Sequence, residues 1–331
     1  MTFPAPYMKL PSSVKLKLKA SQEKLELTEE AEEMATWWAD CELTEFGEKE
    51  KVRENFWNTF KSKIDKKYNA TALDLLDFSD IRTHIEAAKE EKKNRPTEVK
   101  KKEIEDRQKV NAAFQNCLFD GFIEKVANYN IEPPSIFRGR GEHPHAGKLK
   151  SRIVPEYVSI NIGLDDPIPP CPIKGHAWKK VVNNPEATWL CHFKDEQNTY
   201  SSSGKYLFLA AESKIKGMND LKKYERARRL KAIIDKVREV YVKDMVDKHD
   251  YEKNQLGVAT YLIDKLALRV GNEKGEDEAD TVGCCSLRVE HITIEEEKHK
   301  VSFDFLGKDS MRYHNTVDVI PEVYELMKRF Q

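Results

Sequence analysis

The chain has 331 residues, of which 34% are charged and 39% are hydrophobic. Its 56 lysines and arginines are balanced by 57 acidic residues, so the net charge of -1 does not indicate nucleic-acid binding, and any basic surface has to be local. No apolar run approaches the roughly 20 residues needed to span a bilayer, and the amino terminus lacks the apolar core of a signal peptide. Six irregularly spaced cysteines do not suggest a disulfide framework, so we expect a reducing intracellular compartment.

The first part of the chain predicts one short strand and then helices. The alternating sequence VKLKLK at residues 14–19 follows three prolines and predicts an edge strand. From about Thr28 to Phe60 the pattern is helical, with Thr28 as the expected N-cap. Trp37, Trp38 and Trp57 are expected to pack in the core of this region. Residues 61–82 predict short helices and turns.

Residues 83–115 predict two charged helices that are broken near Pro96. Charge pairs four residues apart would stabilise these helices in water, which is the better explanation for most of their lysines. The alternative is a projecting positive arm that approaches DNA phosphates. The residue pattern leaves both open.

The pattern of hydrophobic and polar residues changes twice in the second half of the chain. Residues 116–210 alternate short apolar runs with proline-rich turns, which predicts a compact β-containing region. From about Ser213 the pattern is helical again, so a domain boundary is predicted near residues 210–215. The sequence YLIDKLALRV, residues 261–270, predicts a helix that reaches Arg269. Three short strands are predicted after it, in TVGCCSLRVEHITI and in VSFDFLGKDSMRYHNTVDV.

Two stretches have the local basic character that phosphate recognition requires. Residues 205–236 contain many more lysines and arginines than acids, although surface helices often look the same. In FRGRGEHPHAGKLKSR, residues 137–152, glycines beside Arg138 and Arg140 would let the backbone approach a ligand closely. Its alternative is a structural turn with solvated arginines.

Arg269 and Lys308 are the candidate catalytic pair. Cleavage of a phosphodiester needs positive charge on the non-bridging oxygens and an acid for the departing alkoxide. An arginine supplies fixed bidentate charge, and a lysine at a turn can deliver a proton. The spacing alone makes this pairing weak.

Other kinds of site are not supported by the pattern. Cys171, His176, Cys191 and His192 lack the paired short spacings of a zinc site, so no metal is predicted. A glycine-rich phosphate loop followed by Lys-Ser/Thr is also missing, so no nucleotide site is visible.

Several stretches together resemble the core of the eukaryotic type IB DNA topoisomerases. They are IEPPSIFRGRGEHP, SKIKG, KYERARRLK, DKLALRVGNEK, EADTVGCCSLRVEHI and FDFLGKDSMRYHN, with a weaker likeness in PYMKLPSSVK. The resemblance covers nearly the whole chain in the right order. TEFGEKEKVRENFWNTF and EEKKNRPTEVKKK look most similar to the large subunit of the bipartite kinetoplastid enzyme.

The resemblance implies an α+β fold in the form of a two-lobed DNA clamp. A mixed α/β cap lobe would contain a β-containing subdomain, residues 1–20 and 116–210, and a helical subdomain, residues 21–115, with residues 83–115 projecting. Residues 211–331 would begin a tyrosine-recombinase-like catalytic domain with a small antiparallel sheet.

The family nicks one strand through a tyrosine that becomes joined to the 3′ phosphate, lets the DNA rotate, and reseals the nick. By resemblance Arg269 holds the scissile phosphate, and Lys308 protonates the leaving 5′ oxygen. Arg138 and Arg140 would lie along the minor groove near the cleavage site. The remaining positions that match DNA-contacting or DNA-bordering residues of the family are Asn128, Lys205, Tyr206, Lys214, Lys216, Lys223, Asn272, Lys274, Thr281 and Asp309.

The family's second arginine, its histidine and its nucleophilic tyrosine all match positions beyond Gln331. Tyr313 follows Lys308 closely but matches an ordinary strand residue, so we do not expect it to be the nucleophile. The chain is therefore expected to be inactive alone and to need a downstream segment or a small subunit that carries the tyrosine. Neither ATP nor an obligatory metal is expected as a cofactor, and no membrane is expected as a partner.

We expect the DNA served to be nuclear, with mitochondrial or kinetoplast DNA as an alternative. Two rival functions stay open from the residues. One is a DNA-binding clamp without chemistry, and the other is a helical scaffold for protein partners.

Overall fold

The computed structural model of the protein describes residues 1–195, 204–295 and 299–331. The chain divides into two compact units. The first unit contains residues 1–138 and 145–218, and the second contains residues 139–144 and 219–331. Helices and small, mostly antiparallel sheets occur together, so the α+β class expected from the sequence is confirmed. The predicted subdomain limits stay a prediction.

The first unit begins with helices and two very short strands. Its helices are α1 Glu29–Cys41, α2 Glu45–Glu48, α3 Glu50–Phe60, α4 Ser79–Asn94 and α5 Thr97–Ala112. Strand β1 (Lys17–Leu18) pairs antiparallel with β2 (Leu76–Asp77), which confirms the short strand predicted in VKLKLK. Three 3-10 turns lie between α3 and β2, as the pattern of residues 61–82 predicts.

Aromatic side chains form the centre of the helical core. Trp38 stacks on Phe56 with ring centroids 4.6 Å apart, and Phe56 stacks on Phe60 at 5.1 Å. All three side chains are fully buried, whereas Trp37 and Trp57 pack against this core from its edge. The Thr28 hydroxyl accepts a hydrogen bond from the amide of Ala31, 3.2 Å away, so the predicted N-cap of α1 is confirmed.

Helices α4 and α5 end and begin on either side of Pro96, as predicted. Arg95 joins them, because its guanidinium pairs with Glu91 at 3.3 Å and with Glu103 at 2.8 Å. No residue of α5 is buried. The helix is therefore stabilised by charge pairs such as Lys109 with Asp106 rather than by an apolar face.

Strands follow in the rest of the first unit. They are β3 Asn116–Phe119, β4 Phe122–Lys125, β5 Ser135–Ile136, β6 Leu149–Lys150, β7 Val158–Asn161, β8 Lys180–Val182, β9 Trp189–Phe193 and β10 Lys205–Phe208. Four of them form a sheet in the order β10-β9-β7-β8, in which only the β7–β8 pair is parallel. Val158, Ile160 and Phe193 lie on its buried face, where they form a second small core.

The long helix α6 (Lys214–Met245) is divided between the units, since its first residues belong to the first unit and its remainder to the second. The second unit also contains α7 (Tyr251–Leu266), α8 (Pro321–Phe330) and the strands β11 (Ile292–Ile294), β12 (Lys300–Leu306) and β13 (Arg312–Asp318). The strands form one antiparallel sheet in the order β11-β12-β13, which confirms three strands in this region, the first only over the last three residues of its predicted stretch.

A buried asparagine connects α6 to α7. The Asn254 side-chain amide donates to the carbonyl oxygens of Asp244, Met245 and Asp247 at 2.8, 3.1 and 2.9 Å. These carbonyls lie at the carboxyl end of α6, where no intrahelical donor is available to them. Three turns further along α7, Asp264 accepts hydrogen bonds from Arg238 and from the hydroxyl of Tyr241. The two helices are thus held together at two levels.

Two local predictions are wrong. The helix predicted to reach Arg269 ends at Leu266, because Ala267 adopts a left-handed conformation with φ +53°. The apolar sequence TVGCCSLRVEH, predicted as strand, instead contains two 3-10 turns, at Cys284–Ser286 and Val289–His291. Its amides bond to distant carbonyls rather than to a neighbouring strand, as described below.

All six cysteines are free, as expected for a chain without a disulfide framework. Cys284 is buried, whereas its neighbour Cys285 is exposed. Within the described parts of the chain, no helix has the length and apolar character required to cross a membrane.

Candidate active site and nucleic-acid interface

Backbone hydrogen bonds connect the two candidate catalytic segments in the second unit. The amide of Cys284 donates to the carbonyl of Arg269 at 2.7 Å, and the amide of Cys285 donates to Val270 at the same distance. Two residues before Cys284, the amide of Val282 donates to the carbonyl oxygen of Leu306 at 2.8 Å. The segment Val282–Cys285 therefore lies between the Arg269 segment and the end of β12, two residues before Lys308.

Close approach of these segments depends on two glycines. Gly271 has φ +82°, and a Cβ atom built on it would lie 2.6 Å from the Cα of Gly283. A Cβ built on Gly283 would lie 2.4 Å from the Cα of Gly271. No side chain fits at either position without separating the two backbones, and only glycine adopts the conformation of Gly271 without strain.

Lys308 lies in a tight turn between β12 and β13. Asp309 and Ser310 both have left-handed backbone conformations, with φ +66° and +58°. The amide of Gly307 donates to Met311 at 2.8 Å and closes the turn. Consecutive left-handed residues other than glycine are strained, and such strain is typical of functional turns. The lysine side chain is exposed at this turn.

Arg269 and Lys308 are cationic side chains that this arrangement leaves available to bind a phosphate. Both side chains are exposed, and neither has an ion-pair partner within residues 1–195, 204–295 and 299–331. Exposed, unpaired guanidinium and ammonium groups can bind phosphate without first losing a carboxylate partner. The catalytic roles predicted for Arg269 and Lys308 stay a prediction.

The RGRG segment is divided between the two units. Arg138 belongs to the first unit, where its guanidinium lies 5.6 Å from the centre of the Phe46 ring. Arg140 belongs to the second unit, where it forms an ion pair with Asp309. Gly141 has φ +56°, and a Cβ on it would lie 2.5 Å from the hydroxyl oxygen of Ser310. Arg140 and Gly141 thus pack directly on the turn that carries Lys308.

The remaining candidates of the second unit surround this site or lie on α6. Asn272 and Lys274 are exposed in the loop after Arg269, and Thr281 is half-buried just before Val282. Lys223 is on α6 and pairs with Asp220 at 3.0 Å. No contact of the described residues brings Lys223 to the Lys308 turn.

In the first unit, the start of α6 is fixed by a buried carboxylate. Glu124 of β4 accepts a hydrogen bond from the amide of Lys214 at 3.3 Å, and a carboxylate at a helix amino terminus is favourably placed for the helix dipole. The ammonium of Lys214 lies 3.3 Å from the centre of the Phe122 ring, and that of Lys216 lies 5.6 Å from Phe208. Both lysines are exposed and held in defined directions.

Lys205 and Tyr206 lie on strand β10, a few residues before these lysines in sequence. Lys205 pairs with Glu132 at 2.7 Å. Tyr206 lies 4.5 Å from His192 and 5.9 Å from Phe208 between ring centroids, which gives the outer face of the sheet an aromatic surface. Asn128 is exposed in a left-handed conformation, and the residue before it is held next to this surface, because the amide of Ala127 donates to the carbonyl oxygen of Phe208 at 2.8 Å.

Sequence reasoning missed a charged cavity of about 500 Å³ in the second unit. Its charged lining includes Arg288 and Arg312, which pair with Asp280 at 2.8 Å and with Asp304 at 2.5 Å. The guanidinium groups hold the pKa values of Asp280 and Asp304 below their usual range. Val282 and Phe305 form its apolar part. The charged residues that alternate with other residues in β12 and β13 were the sequence signal that could have indicated this cavity.

No group of three or more metal-binding side chains comes together among the described residues. His176, one of the four residues weighed as zinc ligands, instead pairs with Glu156 at 3.0 Å. Burial raises the pKa of Cys191 to about 11, which disfavours the thiolate that a metal requires.

Comparison with known proteins gives two family matches that together cover almost the whole chain. Residues 1–209 match the family model described as eukaryotic DNA topoisomerase I, DNA binding fragment. Residues 212–331 match the model described as eukaryotic DNA topoisomerase I, catalytic core.

Individual relatives are similar over the same range. The chain is 46% identical to DNA topoisomerase 1 beta of Arabidopsis thaliana, 44% to DNA topoisomerase 1 of Schizosaccharomyces pombe and 42% to DNA topoisomerase 1 of Homo sapiens. Each comparison covers 99% of this chain but only 35%, 40% and 43% of the respective relative. The chain thus spans well under half the length of these relatives.

Proposed function

This chain belongs to the eukaryotic DNA topoisomerase I family, and we propose that it supplies the DNA-binding part and a portion of the active site of a type IB topoisomerase. The complete enzyme would relax supercoiled DNA by transient cleavage of one strand and religation, without ATP or an obligatory metal. The observation that carries this proposal is the linkage of the Arg269 segment to the Lys308 turn through Val282–Cys285.

We propose that duplex DNA is contacted by both units, as the two-lobed clamp of the family implies. Arg138, Lys205, Tyr206, Lys214 and Lys216 would contribute from the first unit, and Arg140, Lys223, Asn272 and Lys274 from the second. Support comes from the exposure of these side chains and from the fixed directions of Lys214 and Lys216. Phosphate contacts of this kind position DNA without reading its sequence.

The chemistry follows from the charges. Arg269 would bind the non-bridging oxygens of the scissile phosphate, where negative charge increases in the transition state. A tyrosine supplied by another segment would attack phosphorus, so that a 3′ phosphotyrosyl bond forms as the bond to the 5′ oxygen breaks. Lys308 would donate a proton to that oxygen, which leaves as a hydroxyl group. Reversal of these steps reseals the strand.

The tyrosine-bearing segment is proposed to be a separate small subunit or a downstream part of the same polypeptide. The same proposal has two further parts. The whole catalytic domain would have a tyrosine-recombinase-like topology, and the enzyme would act on chromosomal DNA in the nucleus, or on mitochondrial or kinetoplast DNA. Support for all three is the family membership together with the likeness of the helical region to the bipartite kinetoplastid enzyme.

Relaxation of supercoiled plasmid without ATP tests the proposal. The chain would be assayed alone and with a tyrosine-bearing segment taken from a matching type IB enzyme. We expect relaxation only after complementation, and its loss when the complemented chain carries Arg269→Ala. Relaxation by the isolated chain would contradict the assignment of the nucleophile and direct attention to Tyr313. Duplex binding without relaxation in the complemented preparation would favour a clamp without chemistry.

A further inference from the structure

An exposed proline segment in the first unit has no part in the proposed DNA chemistry. Residues 167–172 have the sequence Pro-Ile-Pro-Pro-Cys-Pro, and we call them the proline strap. The structure assigns neither helix nor strand to the strap, and five of its six residues are exposed, Cys171 being half-buried. Ile168 keeps 59% of its surface accessible.

The composition of the strap favours a polyproline II conformation. A proline fixes its own φ near −65° and drives the preceding residue towards extended backbone. Four of the six strap residues are prolines, and the other two, Ile168 and Cys171, each precede a proline, so all six residues are restricted by their own ring or by the next residue. Polyproline II has three residues per turn, which places Pro169 and Pro172 on one face.

The strap lies between two hydrogen-bonded turns and is anchored once, near its middle. Before it, the amide of Asp166 donates to Gly163 at 3.3 Å, and after it the amide of His176 donates to Ile173 at 3.2 Å in a turn with Gly175 at φ +85°. The indole nitrogen of Trp178 donates to the carbonyl oxygen of Pro169 at 2.8 Å.

Trp178 itself is well fixed, because its ring packs on Phe3 with centroids 6.4 Å apart and against the buried face of the sheet. The strap is therefore preorganised, and a partner would not have to order it on binding. Preorganisation of this kind increases affinity by reducing the entropy lost in the complex.

A positive charge follows the strap at a defined distance. Lys174 is two residues beyond Pro172, is exposed, and has no ion-pair partner in the described part of the chain. Segments with prolines three residues apart bind grooves lined by aromatic side chains, as in SH3 domains. An adjacent acidic pocket in the groove would pair with Lys174.

We propose that the proline strap and Lys174 form a docking site for a protein domain with an SH3-type groove, aromatic where it meets Pro169 and Pro172 and acidic where it meets Lys174. The strap reads as Ile-Pro-x-Cys-Pro-x-Lys, residues 168–174, in which Ile168-Pro169 and Cys171-Pro172 would fill the two successive proline pockets. This role is independent of the proposed DNA chemistry.

Binding of the whole 331-residue chain to a panel of immobilised SH3 domains with acidic specificity pockets tests the proposal, with a panel of WW domains as comparison. We expect at least one SH3 domain to bind. The double substitution P169A/P172A should weaken that binding by about tenfold or more, since it removes both central contacts. Lys174→Glu should weaken it by a similar factor and should do so less at high salt.

Pro170→Ala is the matched control, because Pro170 lies in the same strap but off the face shared by Pro169 and Pro172. We expect it to change affinity less than twofold, and all variants should keep the thermal unfolding midpoint of the parent chain. The proposal is overturned if no SH3 domain binds, if P169A/P172A binds as well as the parent, or if the bound domain is insensitive to Lys174→Glu. A loss of duplex DNA affinity in P169A/P172A would also overturn it, because the strap would then belong to the nucleic-acid surface.

Discussion

Arg140 is ion-paired with Asp309, the residue that directly follows the candidate general acid Lys308. Both side chains are exposed, at 66% and 46% of their surface, so the pair by itself adds little to stability. Its consequence is electrostatic, because the carboxylate reduces the positive charge that Arg140 offers to a phosphate. Arg138, 5.6 Å from the Phe46 ring, has no such carboxylate partner in the described residues.

Removing the carboxylate should therefore strengthen DNA binding. We expect Asp309→Asn to increase duplex affinity several-fold and to steepen the salt dependence, by about one unit in the log–log slope if one further phosphate is neutralised. Arg138→Ala should flatten that slope by about the same amount. Titration of a fluorescent duplex at several salt concentrations measures both. An unchanged slope in Arg138→Ala would remove that residue from the interface.

Lys308→Ala should slow strand cleavage by about 10²–10⁴-fold in a complemented enzyme, the range typical of a lost general acid, with little change in DNA affinity. A substrate with sulfur at the 5′ bridging position has a leaving group that needs no proton. It should recover most of the lost rate. Lys248, exposed in the second unit and outside the proposed interface, provides the control Lys248→Ala. Failure of the sulfur substrate to restore cleavage would exclude the acid role.

The Asn254 side chain should be important for stability. Asn254→Ala removes three hydrogen bonds to carbonyls at the end of α6, at a site where the Asn254 side chain is only 1% exposed. The carbonyl of Asp244 keeps the amide of Asp247 as a donor, whereas those of Met245 and Asp247 lose the donor that Asn254 supplies. We expect a loss of about 2–3 kcal/mol in the free energy of unfolding. Urea denaturation measures it, and Asn219→Ala, at an exposed position of α6, should change stability by less than ~0.5 kcal/mol.

Asp264 should contribute stability that depends on pH. Hydrogen bonds from Arg238 and Tyr241 hold the pKa of this carboxyl below its usual value of about 3.9. Because the folded pKa is lower than the unfolded one, the contribution is complete above pH ~4 and is lost as the pH falls through the folded pKa. The stability difference between the parent chain and Asp264→Asn should thus be large at pH 7 and should shrink below pH 4. A difference that stays constant between pH 7 and pH 3 would show that the ionised carboxylate is not responsible.

The two adjacent cysteines should differ in reactivity. Burial raises the pKa of Cys284 to about 12, and its thiol donates to the carbonyl of Ala259 at 3.4 Å, whereas Cys285 is exposed. Iodoacetamide at pH 8 followed by peptide mass spectrometry should therefore modify Cys285 and leave Cys284 unmodified in the folded chain. Equal labelling after denaturation is the control. Modification of Cys284 in the folded state would contradict its burial.

Local patterns predicted those elements whose hydrogen bonds are local. Thr28 caps α1, Pro96 separates α4 from α5, and the period-two alternation after residue 291 forms three strands, because each of these features is decided within a few residues. Gly217 lies within α6 without interrupting it, because a single glycine costs a helix of 32 residues only a small part of its stability.

Failures occurred where distant segments decide the backbone. Nothing near Leu266 signals a helix end, and the left-handed Ala267 turns the chain so that Arg269 can bond to Cys284. The apolar sequence around Cys284 looks like a strand, but its amides are used by Arg269, Val270 and Leu306. The ion pair of Arg140 with Asp309 is also invisible locally. The resemblance named the site residues, whereas only the structure relates them in space.

The position of residues 139–144 has a consequence for biosynthesis. This segment belongs to the second unit, although the chain before and after it belongs to the first. Ribosomes add ~5–20 residues per second, so Arg140 is made on the order of ten seconds or more before Asp309 exists to pair with it. The first unit can be translated in full before Asp309 exists. Completion of the Lys308 turn is thus a late event on the ribosome, and nascent chains stalled before it lack the ion pair that Arg140 forms in the finished chain.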